Sequence, residues 1–399
     1  MYPMSSSPDY PISTRFRWAS LQLEILCTLK LDADVRATLG RLPPKLEQLY
    51  LEIYEKQISR YHGEAGRSII NNILKWLLHA QTRMSSSELC AAVAMNIAVA
   101  PEDLTKEHIL DLCHNFVVFD DGLDTFRFAH LSVREFLETR DEFSPIHCHL
   151  LAAEVCLLQL IGSTNSSIAE KFLKDECAIN VVGKTASAAE SLPEGLQNYA
   201  TIHWSLHCSR IGERGRESQT RFKRLFQFFL STDLEGPSPL DAWLLSYRHR
   251  DYSDEAPYSL RVALDTYHSP LIMPLFLASA FGFCEVIRTC LMNPKLGLGE
   301  RRTAWSISSS ASQGEALRTH LENRGDCEIP ESIVPRVAMW MDADEFAWLL
   351  DQVPNMKYTA SFVASMKRRL PETRKENVDI LLHHFGFEKA SNEILKVLA

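Results

Sequence analysis

The chain carries one pattern that could bind a nucleotide phosphate, at Gly183-Lys184-Thr185. A phosphate-binding loop also needs a glycine five residues before its Gly-Lys pair, so that backbone N–H groups can wrap around the phosphate. That position is Ala178, and a Ser/Ala-rich segment follows where a long helix should begin. We therefore predict no nucleotide site here; ATP binding that is lost in a Lys184→Ala variant would contradict this.

Three further groups of side chains could bind a metal or catalyse a reaction. The His-Cys-His run at 147–149 offers metal ligands, but adjacent residues rarely converge on one ion, so the run predicts a helix start. The histidine pair at 383–384 is interpreted as a helix end, where cations favour the helix dipole. Ser132 follows His130 as a nucleophile beside a base would, yet the chain has no G-x-S-x-G elbow and no identifiable acid partner. The sequence thus predicts no enzyme activity, no catalytic residue, no metal and no cofactor.

Composition excludes some classes of partner. The 399 residues suggest two or three domains, and the formal net charge is −9 with a pI near 5.9. An acidic chain argues against broad affinity for nucleic acid or anionic membranes, because both need a basic face. The basic runs at 367–369 and 374–375 flank a proline and indicate a solvated loop. The 10 scattered cysteines, the lack of a signal peptide and the lack of a membrane-spanning run predict a cytoplasmic protein without a membrane partner.

The elements that would position His130 and Ser132 are a hairpin and a helix within 116–137, FVVFDDGLDTFRFAHLSVREFL. Asp-Gly between two apolar runs predicts a β-hairpin, since glycine tolerates the positive φ of such turns. Apolar spacing predicts helices before it at 16–29, 32–39, from Lys45, at 68–80, 84–95 and 105–112, the fifth opened by a serine cap before Glu88. Helices, a hairpin and a closing helix in this order predict a winged helix.

The residue pattern changes along the chain and divides it into four segments. We predict a disordered tail at 1–14, a helical plus winged-helix domain at 15–140, a helical connector at 141–268 and helical repeats at 269–399. Residues 273–291 align with 303–321 without a gap at an offset of 30, and 329–334 resemble 358–363 at an offset of 29. Repeats with a period near 30 residues, in a region of short predicted helices, predict a stacked-helix solenoid.

Several stretches carry a resemblance to a known family. They are FRWASLQL at 16–23, LPPKL at 42–46, LKWL at 74–77 and FAHLSVREFL at 128–137. Together they resemble the segment after the nucleotide-binding domain of fungal NACHT–ankyrin proteins, which are relatives of NLR receptors of the STAND class. A similar winged helix is described for GPI inositol-deacylase-like fungal proteins. Pro274-Leu275, Leu277-Ala278, Gly282 and Glu285-Val286 look like a degenerate ankyrin repeat.

The resemblance implies a mainly α protein with a winged-helix module and its small β-hairpin, a helical connector and an ankyrin-like helical repeat solenoid. In NLR-type switches a winged-helix histidine touches the phosphate of bound ADP. His130 would be such a nucleotide sensor only beside a separate NACHT domain, because no phosphate loop stands upstream of residue 15. The chain would then be a truncated or split paralogue, or its gene model would lack the 5′ part. His130 could instead be a structural residue whose ring nitrogens bond to backbone.

The function implied is a non-enzymatic signalling module that binds proteins through its repeat surface and a separate NACHT domain. The alternative is a stand-alone winged-helix protein that binds nucleic acid. It requires lysines and arginines on the recognition helix and wing. That region instead carries five acidic residues, against Arg127, Arg134 and Arg140: Asp120, Asp121, Asp124, Glu135 and Glu138. Nucleic acid is therefore the less favoured partner.

Overall fold

The computed structural model describes residues 12–27, 29–39, 45–60, 64–97, 104–164, 166–174, 194–231, 238–249, 255–265, 270–325, 327–330, 332–353 and 375–384. The patterns at 183–185, 358–363 and 367–369 lie outside these residues. Contacts between Cα atoms divide the chain into two compact units, Met1–Trp204 and Ser205–Ala399. This boundary falls inside the segment predicted as a connector, and the predicted domain limits stay predictions.

The first unit is helical apart from one hairpin within its described residues. Its helices are α1 Ile12–Cys27, α2 Asp32–Leu39, α3 Leu46–Arg60, α4 Glu64–His79, α5 Ser86–Ile97, α6 Lys106–Cys113, α7 Leu131–Glu138, α8 Pro145–Gly162, α9 Ser166–Lys174 and α10 Glu194–Ser218, which runs past the unit boundary. The strands are β1 Val117–Asp120 and β2 Thr125–Phe128. The helices predicted from apolar spacing before the hairpin are confirmed, with ends that differ by a few residues.

Helix α9 was not predicted, because the segment from Asn165 to Gly195 carries a weak pattern. Residues 166–174 nevertheless form a helix that packs against α8. Ala169 is buried there, so a short apolar stripe suffices once a large apolar neighbour covers it.

The predicted hairpin is confirmed as an antiparallel pair, with Val117 opposite Phe128 and Asp120 opposite Thr125. Its positive φ falls on Asp124 (φ 50°) and not on Gly122, which corrects the reason given for the turn. Asp124 ties the turn to the start of α5. Its carbonyl accepts from the Ser86 N–H (2.9 Å), and its carboxylate accepts from the Ser86 hydroxyl (2.7 Å).

Two helix starts in this unit form as the sequence predicts. Ser85 and Glu88 cap α5 reciprocally: Ser85 N–H donates to Glu88 Oε2 (2.7 Å), and Glu88 N–H donates to Ser85 Oγ (3.3 Å). Such an exchange satisfies amide groups that have no partner within the helix. Thr105 caps α6 through its hydroxyl, which accepts from the His108 N–H. A bridge between Ser85 and Thr125 adds a short third strand position beside the hairpin.

The core beneath the hairpin is aromatic. Tyr50 of α3 packs against Phe116 and Phe136, with ring centroids 5.9 and 5.5 Å apart, and Tyr54 packs edge-on against Phe143. Aromatic pairs at these separations add to the free energy gained by burial. Helix α3, although it precedes the hairpin by more than one helix, is therefore part of the same core.

Helix α8 is long and apolar enough, by length and composition, to cross a membrane. Two thirds of it is buried inside the first unit, where it packs against α4 and α5. Its apolar residues are thereby accounted for as the core of this unit.

The second unit is built from shorter helices in its described residues. They are α11 Thr220–Leu230, α12 Pro239–His249, α13 Tyr258–Asp265, α14 Met273–Phe281, α15 Cys284–Leu291, α16 Leu298–Ser310, α17 Gly314–Glu322, α18 Ile333–Val337, α19 Ala343–Asp351 and α20 Lys375–His384. Helices α11 to α13 lie within the segment predicted as a helical connector, and the helices from α14 onward lie within the predicted helical repeats.

The repeat with an offset of 30 is a repeat in the structure. Helix α14 packs on α16, and α15 packs on α17. The turns inside the two pairs match: Gly282 (φ 75°) and Ser312 (φ 57°) have positive φ. In each turn the next N–H donates back to a carbonyl five residues earlier, from Phe283 at 3.0 Å and from Gln313 at 2.9 Å. Stacked helical repeats are therefore confirmed.

Helices α18 and α19 continue the stack in the same register. Glu285, Glu315 and Glu345 stand 30 residues apart, each in the first turn of α15, α17 or α19. Asn377 of α20 is buried and donates to the carbonyls of Ala338 and Met341, both at 3.0 Å. Helix α20 thus covers carbonyls that follow α18, which would otherwise lack a partner at this helix end.

Candidate functional site

His130 is the N-cap of α7. Its backbone is extended (φ −156°, ψ 154°), and its Nδ1 accepts a hydrogen bond from the Ser132 N–H at 3.1 Å. Side-chain acceptors at this position satisfy an amide group that the helix leaves free. The imidazole therefore fixes the start of α7 directly behind the hairpin.

A chain of side chains connects His130 to the core. His130 Nδ1 lies 2.7 Å from Ser132 Oγ, which lies 2.8 Å from the Tyr50 hydroxyl. Because Nδ1 accepts the backbone N–H, it carries no proton in the neutral ring. The Ser132 hydroxyl then donates to Nδ1, and the Tyr50 hydroxyl donates to Ser132. The remaining proton sits on Nε2, which has no hydrogen-bond partner among the described residues.

The Ser132–His130 pair is close enough for nucleophilic catalysis, but its surroundings do not suit it. Ser132 is only 7% exposed, and its oxygen is already held by Tyr50. Among the described residues no carboxylate contacts Nε2 to orient the ring as a base. The pair positions α7.

The face that would read DNA in a winged helix carries paired charges. Lys106 on α6 binds the Asp121 carboxylate at 2.6 Å and lies over the Phe119 ring. Arg127 on β2 lies 3.8 Å from Asp120. Both cations are therefore partly neutralised by the hairpin's own aspartates, and little positive charge is left for phosphates.

Two leucines of this domain are exposed on opposite ends of strand β2. Leu131, next to His130, is 65% exposed, and Leu123 in the hairpin turn is 57% exposed. Single exposed apolar side chains are common on protein surfaces. Leu131 is notable because it directly follows His130, the N-cap of α7.

The other groups predicted from sequence do not converge. His147 Nδ1 donates to the Asp141 carbonyl (2.9 Å), whereas the Cys148 thiol donates to the Phe143 carbonyl. The His149 ring packs on His79. The 147–149 run thus lies in the first turn of α8, as predicted. His384 lies at the end of α20, 3.6 Å from the Asp351 carboxylate.

The second unit holds a charged arrangement that the sequence did not reveal. Arg216 on α10 is 3% exposed and binds both carboxylate oxygens of Glu285 on α15, at 2.6 and 3.0 Å. In return, Glu213 accepts from Arg288 at 2.5 Å. Two Glu-x-x-Arg sequences, at 213–216 and 285–288, therefore pair in antiparallel fashion. The shared Glu-x-x-Arg spacing is the sequence feature from which this pairing could have been predicted.

One cluster of possible metal ligands occurs in the described residues, at Glu213, Cys284 and Glu315, with ligand atoms within 4.8 Å of one another. Burial raises the pKa of the Cys284 thiol, and both carboxylates raise it further. Arg288 already balances the charge of Glu213. The cluster is therefore better explained by its ion pair and two helix starts than by a cation.

A groove of about 890 Å³ runs beside this arrangement, between α11 and α15. Its lining is apolar at Phe226, Leu230 and Leu275. Leu271, at its edge, is largely exposed, and Lys223 and Lys295 add positive charge at the rim. The volume is that of a typical ligand pocket, and the mixed lining suits a protein segment as well.

Comparison with known proteins identifies one part of the chain. Residues 59–145 match the family model of the GPI inositol-deacylase winged helix domain. The matched segment includes α4 to α7 and the hairpin, so the chain contains a winged-helix domain of this type. No curated protein and no solved structure matches the chain.

Proposed function

We propose that the protein is a non-enzymatic interaction module of an NLR-like signalling system. In this proposal its winged-helix domain packs against a NACHT-type nucleotide-binding domain on another chain or chain segment. The observation that carries the proposal is the surface at the start of α7. There, an exposed Leu131 stands beside a histidine whose Nδ1 is occupied and whose Nε2–H is available.

The chemistry of that surface suits a nucleotide-loaded partner. A ring N–H can donate to a phosphate oxygen without carrying a full charge, and Leu131 supplies apolar area at the same place. His130 is also held in place, because its Nδ1 bonds to the Ser132 hydroxyl, which is itself held by the Tyr50 hydroxyl. A rigid donor loses little conformational entropy on binding.

The repeat unit would supply a second contact with protein partners. Its stacked helix pairs form an extended surface, which is the usual binding surface of repeat proteins. We propose that this stack is a degenerate ankyrin array, on the resemblance of Pro274-Leu275 and Gly282 to that pattern. The groove beside α15 adds a recess of suitable size.

Nucleic-acid binding is the second candidate, because a winged helix also serves that function. Its charge pattern favours it less, since Lys106 and Arg127 are engaged by the hairpin aspartates. An enzyme remains outside the proposal, because no described group of side chains combines a nucleophile, a base and an orienting acid.

The test measures binding of the full chain to an ADP-loaded NACHT domain encoded in the same genome, by titration calorimetry. Leu131→Glu should weaken binding at least about tenfold, which is the effect of about 1.4 kcal/mol. His130→Asn keeps the helix cap but removes the ring N–H, so ADP should leave the complex faster. Leu123→Glu is the matched control and should bind as wild type.

Two results would overturn the proposal. One is binding that is equally strong in wild type and in Leu131→Glu. The other is tight binding of the full chain to duplex DNA that weakens steeply with salt, which would establish the nucleic-acid alternative.

A further inference from the structure

Three imidazoles gather where α4 ends, in the first unit; those of His149 and His203 are buried, and that of His79 is half-buried. His79 ends α4, and its ring lies 5.0 Å from that of His149 on α8. His203 on α10 packs against Tyr199, with centroids 4.7 Å apart. Helices α4, α8 and α10 thus each contribute one histidine to the same region of the core.

The rings of His79 and His203 lack partners for a second proton. His79 Nε2 and His203 Nδ1 are buried, and neither has a hydrogen-bond partner among the described residues. The other nitrogen of His203 lies 3.4 Å from the Thr82 hydroxyl, which is a long hydrogen bond. A charged ring must donate from both nitrogens, so both rings are suited only to the neutral form.

The same residues hold α10 to the turn that follows α4. The Gln81 N–H donates to the Tyr199 hydroxyl at 2.9 Å, and Thr82 contacts His203. Trp76 packs edge-on against Tyr199. One of the polar contacts of this attachment therefore involves an imidazole.

We propose that this attachment is an acid-sensitive latch: protonation of His203, assisted by His79, releases the start of α10 (194–204) from α4 and the turn after it. The inference concerns regulation and does not depend on the proposed NACHT partner. A local release is possible because stability is not uniform along a chain, and a segment can open without global unfolding.

The surrounding charged groups do little to stabilise a protonated ring of His79 or His203. Two carboxylates act electrostatically on this region: Glu138 of α7 acts on His79, and Glu88 of α5 acts on Tyr199. Glu138 is bound to Arg134 at 2.8 Å, and Glu88 is bound to the Ser85 cap. The remaining titratable neighbours carry no negative charge at neutral pH: Cys156 and His149 on α8, Tyr199 on α10, and Arg134 on α7.

The direction of the pH effect follows from burial. Desolvation lowers the pKa of His203 to about 4, and it also lowers the pKa of His79. The released segment binds protons with the ordinary pKa of 6.5. The attached state is thus fully favoured above about pH 6.5, and release grows as the pH falls towards about 4. At about pH 5, His203 alone should raise the released population about 30-fold.

The experiment is hydrogen exchange of the full-length protein at about pH 7.5 and about pH 5, with rates corrected for intrinsic chemistry. Peptides within 196–204 should lose about 30-fold in protection at the lower pH, whereas α6 should keep its protection. His203→Gln should reduce this loss to about threefold or less, since only His79 still titrates in the latch. His108→Gln, an exposed change on α6, is the control and should behave as wild type.

Three outcomes would overturn the latch. They are a loss of protection below about threefold in wild type, a loss unchanged by His203→Gln, or a parallel loss in α6, which would mean general unfolding. If His203→Gln does not fold, His79→Gln serves instead. It should lessen the loss of protection in 196–204, and an unchanged loss would count against the proposal.

Discussion

Replacing Arg216 by Met should destabilise the second unit strongly, because this buried side chain makes four hydrogen bonds. Two go to the Glu285 carboxylate, one to the Cys208 carbonyl at 3.1 Å and one to the Gly282 carbonyl at 3.3 Å. The guanidinium also lies 4.9 Å from the Phe283 ring centroid. Methionine keeps an apolar stem of similar length but removes every donor.

The magnitude follows from what the substitution leaves behind. Removing one partner of a buried ion pair costs about 3–5 kcal/mol, mainly because the other charge stays buried. Glu285 is 20% exposed, so water can reach its carboxylate in part. We therefore expect a loss of about 3 kcal/mol in the free energy of unfolding of this unit.

The matched control is Arg288→Met on α15, the helix that carries Glu285. The Arg288 side chain is 46% exposed, and an exposed pair such as its contact with Glu213 is worth less than about 1 kcal/mol. The assay is amide exchange of α14 and α15 in the full chain, under increasing urea. A double-mutant cycle with Glu285→Gln should give a coupling energy of about 2 kcal/mol.

If Arg216→Met lowers the free energy of unfolding no more than Arg288→Met does, the buried ion pair does not stabilise the unit as we expect. This expectation is also refuted if Arg216→Met and Glu285→Gln add without coupling, since the two residues would then not stabilise each other.

Two further predictions concern the repeat turn and the support of the histidine cap. Gly282→Ala should cost about 1–2 kcal/mol, because φ is positive and the new Cβ would lie 2.8 Å from Gln313 Oε1. Gly299→Ala, within α16 and with open space around it, should be neutral or stabilise by up to about 1 kcal/mol; equal urea midpoints for the two variants would contradict this. Ser132→Ala should cost about 1–3 kcal/mol, because the buried Tyr50 hydroxyl loses its partner. The double variant with Tyr50→Phe should cost less than the sum of the single changes, and strict additivity in urea melts would count against the hydrogen bond.

The sequence predicted those features that depend on neighbours along the chain. Apolar spacing gave the helices before the hairpin, and Ser85 with Glu88 indicated the start of α5. The offset of 30 predicted stacked helix pairs. The hairpin was also predicted, although its positive φ lies at Asp124 because the turn spans four residues. Resemblance added His130, whose role as a sensor remains a proposal.

Features missed by sequence reasoning depend on contacts far apart in the chain. Helix α9 has a weak pattern of its own and is stabilised by packing on α8. The pairing of Arg216 with Glu285 joins residues 69 positions apart, and the contact of Thr82 with His203 joins residues 121 apart. No local pattern specifies which charges meet over such separations.

The helices before the hairpin, the hairpin itself and the period of the repeats could therefore be predicted from the sequence, because they follow from short-range spacing and turn chemistry. Which buried polar atoms find a hydrogen-bond partner could be learned only from the tertiary structure. Nδ1 of His130 is occupied by Ser132, whereas Nδ1 of His203 has no hydrogen-bond partner among the described residues. Both are histidines in helical surroundings, and the difference arises from burial and from the groups that long-range packing brings to each ring.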